Sequence, residues 1–156
     1  MEQTTTTDAP RLRLVREAAA HWVCVISRGD AHLAQQEGRL RLPASSEARA
    51  RRLSAGDGVL LYSPREGNRS GPRVRRFTAV GRVRDDGAYQ VDGDVHRSWC
   101  RDVDFEEIEG EAEAEPLIER LSFVRPGPGW GVVFRPGFVA VQADDFEVVR
   151  GCLVGG

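Results

Sequence analysis

Short apolar runs bounded by turn residues dominate this chain, and they outnumber stretches with a helical period. HWVCVISRGD, residues 21 to 30, starts as an oily run and then stops within one residue on a hydroxyl, an arginine, a glycine and an acid. GVLLYS at 58 to 63 is a second such run, and VRRFTAVGRV at 74 to 83 alternates and breaks at Gly81, where a strand bends or bulges. AYQV and VHRSWCRDVDF, after a DDG hairpin turn, read as further strands, the latter with Val95, Arg97 and Trp99 on one parity and His96, Ser98 and Cys100 on the other. The expected domain is α+β and mainly β.

The remaining segments punctuate these strands. SEARARRL reads as a short helix capped by serines and closed by the turn LSAGDG, and PREGNRSGPR as a loop. EIEGEAEAEPLIERLSFV is an acidic loop entering a short helix through Pro116, with Leu117, Ile118 and Leu121 as its buried stripe. RPGPGWG is loop, VVFRPGFVAV a strand pair or bent strand, and QADDFEVVRG a closing helix ended by Gly151. Several short strands with a few short helices favour a small closed or nearly closed barrel, because closure removes exposed edges.

Composition narrows the function. A chain of 156 residues buries one continuous core without disulfide or metal staples. Its net charge of −2 removes the simple case for a strongly basic nucleic-acid binder, so any such contact must be local. All 22 basic residues are arginine, which leaves no lysine for chemistry. Cys24, Cys100 and Cys152 are far apart and show no metal-ligand spacing, so no metal site and no cofactor are expected and a reducing cytoplasm fits. Residues 1–20 read as a disordered leader, helical near its end, without the apolar core of a secretory signal, and no stretch reaches the roughly 20 apolar residues of a membrane span.

The segments WVCVISR, LSAGDGVLLYSP, FTAVGRVRDD, YQV, RSWCRDVDF, PLIERLSFV, WG, FRPG and DDFEVV, in this order over residues 21–151, resemble the EVE domain, a member of the PUA superfamily related to YTH domains. The resemblance implies a PUA-like mixed β-barrel of five or six strands flanked by short helices, with residues 152–156 as a tail. It also implies an aromatic pocket at one mouth that binds nucleic acid through a modified base, either a modified cytosine in DNA or a modified base in RNA.

In the related folds the first strand ends at that pocket, which places Ser27 and Arg28 at the edge of a flipped base. Stacking candidates are Tyr62, Tyr89 and Trp130, with Tyr89 and Trp130 the preferred pair because both lie outside apolar runs. Trp22, Trp99 and Phe134 are additional candidates, although Trp22 and Trp99, like Phe77, read first as core. Arg73, Arg75 and Arg76, with Arg65 and Arg69, form a local basic patch for phosphate, and the family pattern adds Arg135 near the mouth. The acidic stretch at 106–115 is expected to face away from a phosphate backbone.

Two departures from the family pattern bear on the pocket. RLRLPASSE stands where many relatives carry a histidine-glycine-lysine stretch, putting Leu40 or Leu42 in the pocket wall, and Val132 stands where a tyrosine is usual.

The domain is expected not to be an enzyme. A hydrolase of the ASCH type, acting on modified nucleosides, is the catalytic alternative, because Glu47 and Arg49 resemble its Glu-x-Arg pair. Glu47 is equally explained by its place in a first helical turn, and no catalytic residues are assigned. A protein-interaction module without a nucleic-acid ligand is the third reading.

Overall fold

The computed structural model describes residues 19–84, 87–93 and 97–155. Most of the expected leader, the Asp85–Asp86 part of the hairpin turn, and Val95 and His96 lie outside them. The elements run β1 (His21–Val25), α1 (Arg28–Glu37), β2 (Arg39–Pro43), a 3-10 turn (Ala44–Ser46), α2 (Glu47–Arg52), β3 (Gly58–Arg65) and β4 (Arg73–Val83). They continue with β5 (Tyr89–Asp92), β6 (Arg97–Phe105), β7 (Ala112–Glu113), 3-10 helices at Glu115–Arg120 and Trp130–Phe134, β8 (Phe138–Val141) and α3 (Ala143–Val154).

Six strands follow one path, β2-β6-β4-β3-β1-β8, while β5 is added to β6 and β7 to β4. The β1–β3 pair is parallel and the other pairings are antiparallel. The path ends at β2 and β8, so the curled sheet is a half-barrel, and the mainly-β PUA-like architecture expected from the sequence is the one observed.

The apolar runs of β1 and β3 are continuous because both faces of these strands are covered. Val23, Leu60 and Tyr62 join one core with Phe77 of β4 and with Leu117, Ile118, Phe134 and Phe146, the last four supplied by the 3-10 helices and α3. Trp22, Cys24, Val59 and Leu61 point the other way, into a second core with Ala31, Ala34, Leu40, Leu53 and Val103. Asp57 fastens the edge of this second core: its carboxylate accepts from the backbone N–H groups of Ala20 (3.1 Å) and Ser54 (2.9 Å) and from Trp22 Nε1 (2.9 Å). A buried carboxylate is kept only when hydrogen bonds replace its lost hydration.

Several expectations need correction. The strand that begins at His21 stops because Ser27 is the N-cap of a helix, α1, which the sequence reading did not foresee: Ser27 Oγ accepts from Asp30 N at 3.1 Å, and Gly38 at φ 71° closes the other end. Gly81 is not a bulge, since the register with β3 runs unbroken through it. A Cβ there would lie 2.6 Å from the Asp104 carbonyl oxygen, so glycine permits β4 to approach β6.

The irregularities of β4 lie elsewhere. Leu61 pairs with Ala79 but Tyr62 with Phe77, and Ser63 pairs with Arg76 but Arg65 with Arg73, so β4 carries an extra residue twice. Only residues 138–141 of the expected strand pair are β; 130–134 form a 3-10 helix. The closing helix passes through Gly151 to Val154 and is capped by Gly155 at φ 73°, so the boundary at 151 falls inside an element. Ser46 precedes α2 without a side-chain capping hydrogen bond.

Candidate nucleic-acid interface

The second irregularity of β4 builds the site. The extra residue falls at Val74–Arg75, and Arg75 adopts φ 52°, a left-handed conformation that costs a side-chain-bearing residue on the order of 1–2 kcal/mol. The Arg75 carbonyl accepts from Ala114 N (3.1 Å), which joins this stretch to the residues after β7. The Arg75 guanidinium lies 5.4 Å from the Trp130 ring centroid, a cation–π distance. Backbone strain and an aimed side chain thus meet at one point.

That point is the wall of a cleft of about 680 Å³, large enough for a nucleotide. Tyr62, Phe134 and Trp130 supply its aromatic side. Tyr62 and Phe134 stack at 4.0 Å with planes 15° apart, and Trp130 meets Phe134 edge-on at 6.5 Å. Arg65, Arg73, Arg75 and Arg135 line the same cleft, against a single acid among the described residues, Glu115.

Among the described residues no carboxylate pairs with any of these four arginines, and Arg65 donates to the Gly71 carbonyl at 3.0 Å. The Tyr62 hydroxyl has no hydrogen-bond partner among them either. Burial pushes the Tyr62 phenol up to about 12, against the opposing pull of Arg75, so it enters any contact as a neutral hydroxyl.

The other anticipated residues are dispersed. Ser27 is the α1 cap and lines neither this cleft nor the next one. Arg28 is held by Glu111 (2.9 Å) and Glu66 (3.3 Å). Tyr89 does not join Trp130: on β5, opposite Cys100, it donates its hydroxyl to Asp102 at 2.5 Å. Trp22 and Trp99 are buried, Trp22 stacked on Phe138 and each under an arginine, Arg52 and Arg51 respectively.

Arg76 leaves the phosphate patch for Glu111 (3.5 Å) and Glu113 (3.6 Å). The acidic stretch does not face away as a block, because its last residue, Glu115, lines the arginine cleft. Glu47 pairs with Arg51 at 2.8 Å while Arg49 donates to the Pro136 carbonyl at 2.6 Å, so the two side chains of this Glu-x-Arg pair have different partners.

A second cleft, of about 600 Å³, opens where β1 passes into α1, lined by Ile26, Asp30, Leu33, Ala34 and Leu42 among others. Leu42 lines this cleft and Leu40 is fully buried, so neither stands in the wall of the arginine-lined cleft, where the base pocket was expected to put one of them. Its two arginines, Arg41 and Arg97, are paired with Glu37 and Asp92, each at 2.9 Å. It is the less cationic of the two. Among the described residues no group of His, Cys, Asp and Glu stands together to hold a metal, and no helix is long and apolar enough to cross a membrane.

The curled, mainly-β half-barrel sheet with its few short helices has a PUA-like fold. Two solved structures share the fold. The N-terminal domain of Staphylothermus marinus McrB superposes with a TM-score of 0.56 at 10% identity, covering 84% of this chain and 93% of that one. Rpa0253 from Rhodopseudomonas palustris gives 0.53 at 12%, covering 88% and 94%.

Sequence relatives place the chain more closely. A UPF0310 protein of Mycolicibacterium vanbaalenii is 36% identical over 105 residues, 67% of this chain and 72% of the relative. One from Mycolicibacterium gilvum is 37% identical over 105 residues, 66% and 73%, and one from Renibacterium salmoninarum 29% over 129 residues, 83% and 91%. No protein-family model matches the chain. The chain belongs to the UPF0310 family.

Proposed function

We propose that this protein is a non-catalytic nucleic-acid-binding domain of the EVE type, which holds one modified base of a strand in the cleft walled by Tyr62, Phe134 and Trp130. One observation carries the reading: four arginines that pair with no carboxylate among the described residues line a cleft that also holds Tyr62, Phe134 and Trp130. Phosphates take the guanidinium groups, and the base stacks on the half-buried Trp130. The second cleft supports this assignment less well, because both of its arginines are already neutralised. That the base is modified, a modified cytosine in DNA or a modified base in RNA, rests on the resemblance to EVE domains.

Fluorescence titration against single strands that differ only in one modified or unmodified base tests the proposal. The expected result is tighter binding to one modified strand, lost in Trp130→Ala and weakened in Arg73→Ala, Arg75→Ala and Arg135→Ala. Equal affinity of these variants and the natural protein would overturn it. Release of a group from a modified nucleoside, abolished by Glu47→Ala, would establish the hydrolase in its place.

A further inference from the structure

Resting on that reading, we infer that Glu115 selects the base: the cleft takes a base whose pairing edge carries amino N–H groups, cytosine, adenine or guanine, and disfavours thymine and uracil. Among the described residues Glu115 is the one acid lining a cleft with four arginines. Among the described residues Glu115 pairs with none of those arginines and has no other partner. An acid that served to hold the arginines in place would be paired with them. An acid left open beside a phosphate site repels the strand unless the ligand brings it hydrogen-bond donors.

An ionised carboxylate only accepts. Cytosine offers it N4–H, adenine N6–H, and guanine N1–H together with N2–H. Thymine and uracil offer a single N3–H flanked by two carbonyl oxygens, which face the carboxylate with like partial charge. The neutral hydroxyl of Tyr62, in the same cleft, is free to donate to a ring nitrogen or carbonyl next to the amino group. Discrimination therefore comes from repulsion of the wrong edge as much as from attraction of the right one.

The test uses the full chain and short strands of abasic sites bearing one cytosine, adenine, guanine or thymine, read by fluorescence polarisation. Thymine is expected to bind at least about fivefold more weakly than the best of the other three, in keeping with the usual worth of one base-edge contact. Glu115→Gln, whose amide also donates, is expected to reduce that ratio below about twofold. Loss of the negative charge alone strengthens every strand equally and leaves the ratio unchanged, so the ratio separates edge recognition from general electrostatics.

An unchanged ratio in Glu115→Gln, or thymine bound as well as cytosine by the natural protein, would overturn the inference. The triple variant Arg73→Ala, Arg75→Ala, Arg135→Ala on the all-abasic strand tests the underlying reading separately. If it binds as the natural protein does, the nucleic-acid assignment of the cleft fails and the selectivity with it. If it binds weakly while the ratio ignores Glu115, only the selectivity fails.

Discussion

The Tyr62 and Phe134 rings are stacked on each other at 4.0 Å, so the pair that floors the cleft is internally satisfied and Trp130 is the ring left half-buried at its edge. Stability and recognition are divided between neighbouring aromatics. Trp130→Ala should weaken strand binding about 5- to 150-fold, the range of one lost base stack, with little change in melting temperature. Phe134→Ala removes a ring packed against Tyr62, Phe77, Phe123 and Trp130 and should cost about 3–5 kcal/mol in denaturant unfolding. Comparable melting losses in both variants would contradict this division.

Arg75 occupies a backbone conformation that glycine adopts freely, in a strand position that carries an extra residue. Arg75→Gly should leave stability unchanged or raise it by up to about 1 kcal/mol while lowering strand affinity and the salt dependence of binding. A chemical denaturation curve and a titration at two salt concentrations check both signs. A destabilised Arg75→Gly would mean that the guanidinium holds the loop together.

Ser27 is a helix cap by geometry, 3.1 Å from Asp30 N. Ser27→Ala should cost about 1 kcal/mol of stability, Ser27→Asp much less, and neither should alter the preference among modified bases. Base preference that changes with Ser27→Ala would restore the role that the related folds suggest for it.

Burial pushes the Cys24 thiol up to about 12 and the Tyr62 phenol to about 12, from ordinary values of 9.0 and 10.0. Both groups bind their proton more tightly folded than unfolded, so the stability linked to them is complete below about pH 9 and is lost as pH rises toward 12. Unfolding followed at pH 8, 10 and 11.5 should show that decline. A thiol reagent near pH 8 should label the exposed Cys152 first and reach the buried Cys24 and Cys100 only after unfolding.

The central strands were legible in the sequence because two-sided burial writes an unbroken apolar run, as in Trp22–Val25 and Val59–Tyr62. Helix α1 was hidden because its only buried residues are Ala31 and Ala34 and its first turn contains Gly29. Its signals, Ser27 three residues before Asp30 and Gly38 after Glu37, mark the ends without any apolar stripe between them. Trp130, picked out by its glycine- and proline-rich segment, and Arg135, placed near the mouth by the family resemblance, both line the arginine cleft. Tyr89 looked equally idle, but its partner is Asp102, a contact across strands that local pattern does not record. Glu115 was read as part of a repelling run, since sequence shows charge density and not which carboxylates are consumed by Arg28, Arg76 and Arg150.

β1 is joined on one side to β3 and on the other to β8, whose residues lie more than a hundred positions downstream. As the chain leaves a ribosome, the outer row of amides on His21–Cys24 therefore waits for Phe138–Val141 before it is covered. A nascent chain stalled before that point, or one cut short there, presents a ready template to any other extended polypeptide, and such forms should depend on chaperones to stay in solution.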